Sequence, residues 1–145
     1  MQVVPLSSAY MPTLFEFWYD LEVLRAQLFR LADPSYDREG WYKLQEARLA
    51  QATTLGMMCV DEEILGAIAV TLSAPLAHVQ LFVVDLHTPE RRAVGTVLWN
   101  ALRDTLLTRS VTHLQADARH NLPIEEAFWR AQKATRTDIY WEVNL

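Results

Sequence analysis

The stretch ILGAIAVTLSAPLAHVQLFVV, residues 64–84, carries no charged side chain. It is longer than the ~18 apolar residues that ordinarily suggest a membrane-spanning helix. Its interior argues for something else. Thr71, Ser73, Pro75, His78 and Gln80 interrupt it, and Ser73-Ala74-Pro75 divides it into two segments rich in β-branched residues, the mark of a turn between neighbouring strands. Upstream, Thr54–Val60 is joined to Ile64–Leu72 through Asp61-Glu62-Glu63, which reads as a hairpin. Ala77–Leu86 follows as the longest strand. Alternation puts Val79, Leu81 and Val83 on one face and His78, Gln80, Phe82 and Val84 on the other. Both faces are largely apolar, so this strand is expected to be central and covered on both sides.

Outward from this block the pattern becomes helical. Gln2–Leu6 reads as a first strand, and Ser7 or Ser8 can cap a helix marked by Leu14, Phe15, Trp18 and Leu21. A second helical piece covers Glu22–Leu31 and stops before Asp33-Pro34, because a residue preceding proline is pushed out of the helical region. Asp37 caps a further helix through Trp41, Leu44 and Ala47, ending near Thr53. On the other side, Val94, Val97, Leu98, Ala101 and Leu102 mark a helix from about Ala93 to Thr108, and Val111–Ala118 is a strand. Pro123–Lys133 is a helix with proline in its first turn, where the missing N–H costs little, and Ile139, Trp141 and Val143 alternate in a terminal strand. The last half therefore reads as right-handed strand–helix–strand crossovers. No linker, repeat or low-complexity segment divides the chain, and residues 1–145 are expected to form one domain.

Composition narrows the function. With 51% hydrophobic and 21% charged residues, the chain is neither disordered nor a coiled coil. Cys59 is the only cysteine, which excludes an internal disulfide and a cysteine-rich zinc site, and the histidines show no paired metal-ligand spacing, so no metal is expected. A net charge of −5 argues against sequence-independent binding of nucleic acid, which depends on Lys and Arg. A cationic or amine-bearing partner fits better. Two strands in place of a spanning helix leave no membrane partner, and without an export signal and with one lone thiol the expected location is the cytoplasm.

The junction that can carry chemistry is the end of the long strand, the loop through Arg92 and the following helix. A helix N-terminus offers unpaired N–H groups and partial positive charge, which suits phosphate. Gly95 permits close approach, and Arg91 and Arg92 add two positive charges at an end where they oppose the helix dipole unless an anion is present.

The run from Leu86 to Leu102, with Asp61-Glu62-Glu63-Ile64-Leu65-Gly66-Ala67-Ile68 ahead of it, resembles the GNAT N-acyltransferase superfamily. That family carries Q/R-x-x-G-x-G/A between its fourth strand and third helix. Two registers are open. One places Glu90 at the Q/R position, Ala93 at the first glycine and Gly95 at the last; the other places Arg92 at the Q/R position, Gly95 at the first glycine and Val97 at the last. The first keeps the apolar pattern of the helix and is preferred.

The resemblance implies an α/β fold with a mixed, mostly antiparallel twisted sheet flanked by helices on both faces. It implies acetyl-CoA as acyl donor, with Val84, Asp85, Leu86, Arg91, Arg92, Ala93, Val94, Gly95, Thr96 and Asn121 around it. It also implies that Trp129 stands where the family often has a tyrosine that protonates the departing thiolate; an indole N–H is no useful proton donor. Tyr140 is the nearest alternative in sequence. Asp85 and Glu16 are candidate bases for the amine. Glu16 and Asp20, one helical turn apart beside Phe15, Phe17, Trp18 and Tyr19, are candidates for a cationic acceptor site or a plain polar face. The four histidines, with no nucleophile partner, read as structural or exposed, and Cys59, in an expected buried strand, as an unreactive thiol.

Three readings follow. The first is acetyl or short acyl transfer from acyl-CoA to a primary amine, on a small molecule or a protein. The second is a degenerate GNAT fold acting as a binding or interaction module. The third, a small nucleotide-binding α/β domain, fits the glycine-poor loop least. The terminal strand through Trp141 is expected at an exposed edge, where it can pair with a second copy in a homodimer.

Overall fold

The computed structural model describes residues 1–145. In chain order the elements are β1 (Gln2–Pro5), a 3-10 turn (Ser8–Tyr10), α1 (Met11–Phe29), α2 (Arg38–Leu49), β2 (Thr54–Asp61), β3 (Glu63–Ser73), β4 (Leu76–Val84), α3 (Arg91–Thr108), β5 (His113–Asp117), α4 (Pro123–Ala131), β6 (Thr135–Arg136) and β7 (Tyr140–Asn144). The seven strands form one sheet in the order β1-β2-β3-β4-β5-β7-β6. Every pairing is antiparallel except β4 with β5. The apolar run at 64–84 is thus two strands, and no helix is long and apolar enough to cross a membrane.

Helices cover both faces. On one, Leu14 and Phe15 of α1 and Trp41 of α2 pack with Met58, Ala67, Leu81 and Val83. On the other, Val94, Leu98 and Leu102 of α3 and Trp129 of α4 pack with Ile68, Val70, Leu114 and Trp141. The sheet is central because β3 and β4 offer apolar side chains to both sides.

Four expectations are corrected. The helix expected in two pieces is one continuous α1, since Leu21-Glu22 contains no breaker and both residues favour helix. It ends at Arg30, in the left-handed region with φ 54°, whose N–H bonds the Ala26 carbonyl. The helix α3 begins at Arg91, two residues earlier than its apolar periodicity suggests. The unit from β5 through α4 is no parallel crossover, because β7 returns antiparallel to β5. Finally, β7 is not an edge: it lies between β5 and β6, with Trp141 1% exposed. A two-residue strand such as β6 is too short to show a period; it pairs with Trp141 and Glu142 of β7 and so covers the middle of the strand expected at an edge.

The face assignment along β4 is also corrected. The register runs Ala69 opposite Leu81, then Val70 opposite Val79, so Gln80 is an extra residue. A bulge breaks the two-residue alternation. Leu81 and Val83 accordingly pack under α1 and α2, whereas Val79 packs with the α3 cluster. Beside the bulge β4 leaves β5: the two pair only over Leu76–His78 against His113–Gln115.

Gly66 lets β3, β4 and α3 meet. A Cβ there would stand 2.7 Å from the Val83 carbonyl oxygen and 3.1 Å from Cγ1 of Val94. Gly66→Ala is therefore expected to destabilise the fold by about 1–3 kcal/mol, the usual range for overpacking. Urea denaturation of the two proteins measures this, and an unchanged midpoint contradicts it.

Candidate active site

The first turn of α3 has no internal partners for its leading amides. The earliest intrahelical bond runs from Val94 N–H to the Glu90 carbonyl at 3.0 Å. The N–H groups of Arg91, Arg92 and Ala93 bond nothing, Glu90 at the N-cap makes no side-chain cap bond, and no acidic residue lies in the first turn. Three free donors, the positive end of an 18-residue helix and two arginines converge there. Both registers overlap this start: Glu90 is the N-cap residue, and Arg92 is the second residue of the helix.

That helix start opens onto a cleft of about 1020 Å³ in the gap between β4 and β5. Of the residues expected around a donor, Val84, Leu86, Arg91, Arg92, Gly95, Thr96 and Asn121 line it. Three do not. Val94 is fully buried in the α3 core. Ala93 contributes only its free amide. Asp85 is tied down, its N–H bonding the Leu65 carbonyl at 2.8 Å and its Oδ1 accepting from His87 N–H at 2.9 Å. Asn121 has both ends engaged: Nδ2 donates to the Asp117 carbonyl at 3.2 Å, and Oδ1 accepts from Trp141 Nε1 at 2.6 Å. It shapes the loop after β5.

The antiparallel ladder fixes the direction of the β4 amides. Asp85 N–H points to β3, so by alternation the N–H groups of Phe82 and Val84 point the other way, into the gap. Beneath them, Phe82, Trp99, Phe128 and Trp129 form an edge-to-face cluster, with Trp129 within 5.5 Å of Trp99 and 5.0 Å of Phe128, centroid to centroid. Trp129 is 5% exposed, so its indole is part of the cleft floor. Tyr140 does not line the cleft; its ring meets His78 edge-on at 5.5 Å.

The far side of the cleft is charged, and sequence reading missed it. Arg25 of α1 crosses to α4, its Nη1 donating to Glu125 Oε1 at 2.5 Å and to the His120 carbonyl at 2.8 Å. Burial opposes the charge on Arg25, but Glu125 and then Glu22 outweigh it and raise its pKa. In the loop after β5, Arg119 Nη2 lies 2.9 Å from Asp117 Oδ2. Arg25 and Glu125 are far apart in sequence and leave no local signal. Arg119 beside Asp117 at a strand end was a legible one.

The acceptor candidates on α1 separate. Trp18 lines the cleft, while Phe15 and Phe17 are core and Tyr19 stacks on Phe15. Glu16 is taken by Arg38 and the Tyr36 hydroxyl, and Asp20 lies 3.6 Å from His87; neither reaches the cleft. Cys59 is fully buried, and burial pushes its thiol pKa up.

No protein-family model and no curated protein sequence matches the chain. Solved structures do. The PaiA N-acetyltransferase of Thermoplasma acidophilum, in complex with coenzyme A, aligns with a TM-score of 0.75 at 13% identity, over 99% of this chain and 98% of its own. A GNAT-family acetyltransferase of Staphylococcus aureus Mu50 aligns at 0.77 and 12% identity, over 99% and 98%. The ribosomal-protein-alanine N-acetyltransferase of Brucella melitensis aligns at 0.73 and 13%, over the whole of both chains. The protein has the fold of the GNAT N-acyltransferases, in a sequence far diverged from these neighbours.

Two outcomes test the site geometry. A Cβ on Gly95 would stand 3.6 Å from Phe128, an ordinary contact, and the residue is helical. Gly95→Ala is therefore expected to stabilise the fold by about 0.5–1 kcal/mol in urea denaturation. For Asp117, partial burial works to raise its pKa, but the hydrogen bonds and charge of Arg119 prevail and hold it below the ordinary 3.8. A depressed carboxyl pKa stabilises the fold above the unfolded value, and that contribution is lost as pH falls through the folded value. A carboxyl NMR titration is expected to place Asp117 below 3.8, and to move it upward in Arg119→Gln.

Proposed function

We propose that the protein transfers an acetyl or short acyl group from acyl-CoA to a primary amine by direct attack. The observation that carries this reading is the set of three unpaired amides at Arg91–Ala93 heading α3, where Arg91 and Arg92 line the cleft between β4 and β5. The donor's pyrophosphate would lie on those amides with Arg91 and Arg92 beside it, where an anion relieves the conflict between two arginines and a helix N-terminus. Its slender arm would run into the gap over Phe128 and Trp129. The thioester is the activated acyl group the donor supplies.

The chain's own groups account for the rest. The Val84 amide, unpaired by strand divergence, can polarise a carbonyl placed in the gap as an oxyanion-type donor. The incoming ammonium gives one proton to solvent before attack; its nitrogen then forms the C–N bond, the C–S bond breaks, and the second proton leaves the nitrogen to solvent as the amide forms. With Trp129 at the position the resemblance assigns to a tyrosine, the departing sulfur takes its proton from solvent. Because the N-terminus of α3 lies on one face of the sheet and α1 on the other, donor and acceptor would approach the gap from opposite sides. This supports an amine acceptor reaching the carbonyl past Trp18 and Leu21 of α1.

Trp129 also favours a second reading, a fold kept for binding with the proton donor lost. Thermal denaturation separates the two. Acetyl-CoA at ~100 times its dissociation constant stabilises by ~2.7 kcal/mol, a shift of several degrees. The shift is expected for this protein and is expected to vanish in Arg92→Glu, with thiol release on an amine panel reporting turnover. No shift at millimolar acetyl-CoA overturns the donor site, and a shift without turnover selects the second reading.

A further inference from the structure

The acceptor side of the cleft pairs its charges. Glu125 is matched by Arg25 and Asp117 by Arg119. The two guanidiniums are in different states. Arg25 is spent within the chain: Nε faces Glu22, Nη1 serves Glu125 and the His120 carbonyl, Nη2 faces Glu125, and the side chain is 16% exposed. Arg119 is open. Its side chain is 64% exposed, its Nη1 bonds nothing, and its only partner is Asp117, itself 49% exposed.

We propose, resting on the acyl-transfer reading above, that the acceptor is a zwitterion of the α-amino-acid type which inserts into the Asp117–Arg119 pair. Its ammonium takes Asp117, its carboxylate takes Arg119, and its apolar side chain lies along Trp18, Leu31 and Ile124. The charge balance selects this class. An exposed ion pair opened by a polycation leaves the guanidinium without a partner, and one opened by a simple anion leaves the carboxylate without one. A zwitterion replaces both partners and strands neither. Asp117 and Arg119 touch at 2.9 Å, so the two exchanging charges must also stand close together, as they do when both are borne by one carbon. Leu31 and Ile124 are 42% and 38% exposed at the cleft, an apolar rim that suits an aliphatic side chain. Before attack the bound ammonium gives one proton to solvent; its nitrogen then bonds the acyl carbon as the C–S bond breaks, the second proton leaves the nitrogen to solvent, and the departing thiolate takes a proton from solvent.

The test is thiol release from acetyl-CoA by the full chain, with leucine, leucinamide, 3-methylbutylamine and spermidine as acceptors. Leucine is expected to exceed the other three in kcat/KM by about tenfold or more, the scale of a charge-assisted hydrogen bond. In Arg119→Gln the difference from leucinamide is expected to fall within about threefold, through a higher KM for leucine, while the KM for acetyl-CoA is unchanged. Equal or better turnover of leucinamide, 3-methylbutylamine or spermidine overturns the zwitterion and leaves acyl transfer standing, as does a leucine preference that survives Arg119→Gln. Absence of any acetyl-CoA thermal shift overturns both. The wild-type panel decides the matter even where the variant fails to fold.

Discussion

The parting of β4 from β5 after His78 is the constraint on which the rest of the site depends. Two parallel strands that stayed paired would fill each other's hydrogen bonds and leave no room between them. Here pairing stops after three residues of each strand, next to the extra residue Gln80. A bulge bends its strand and increases local twist, and the bend carries Phe82 and Val84 away from β5. Backbone amides left unpaired in this way are a standing cost to the fold unless water or a ligand meets them. The same divergence brings the start of α3 to the gap, because only Asp85–Glu90 separates it from β4.

What keeps the gap from closing is packing below and an ion pair across. The aromatic cluster of Phe82, Trp99, Phe128 and Trp129 fills the space under the diverging strands with rigid, mutually perpendicular rings. Arg25 ties α1 to α4 through Glu125 and the His120 carbonyl, joining helices that lie on opposite faces of the sheet. Glu125 also accepts the Leu122 N–H at 2.8 Å, so one carboxylate both caps α4 and anchors the strap. The chain is acidic overall, yet Arg25, Arg91, Arg92 and Arg119 all line the cleft against Glu22, Asp117 and Glu125. The cleft therefore carries a local excess of positive charge on a chain whose net charge is negative.

Likeness in fold at 12–13% identity shows how little of the sequence this architecture requires. The features that shape this cleft, a bulge, a strand divergence and three free amides, are made by main-chain groups and need no particular side chain.

Much of this was legible in local pattern. The break at Ser73-Ala74-Pro75 separated β3 from β4, the apolar period placed α3, and Arg91 and Arg92 before Gly95 pointed to the helix start that lines the cleft. These signals are short in range, and periodicity and turn chemistry act over a few residues. Tertiary structure alone decided the bulge at Gln80, which reassigns Val79 to the α3 face while Leu81 and Val83 keep theirs, since a bulge depends on the partner strand's register. It alone decided that β6 covers β7, that Glu16 is taken by Arg38, and that Arg25 meets Glu125. Hydrophobic period is written along the chain, whereas ion pairs and strand register arise from distances through space between residues the sequence holds far apart.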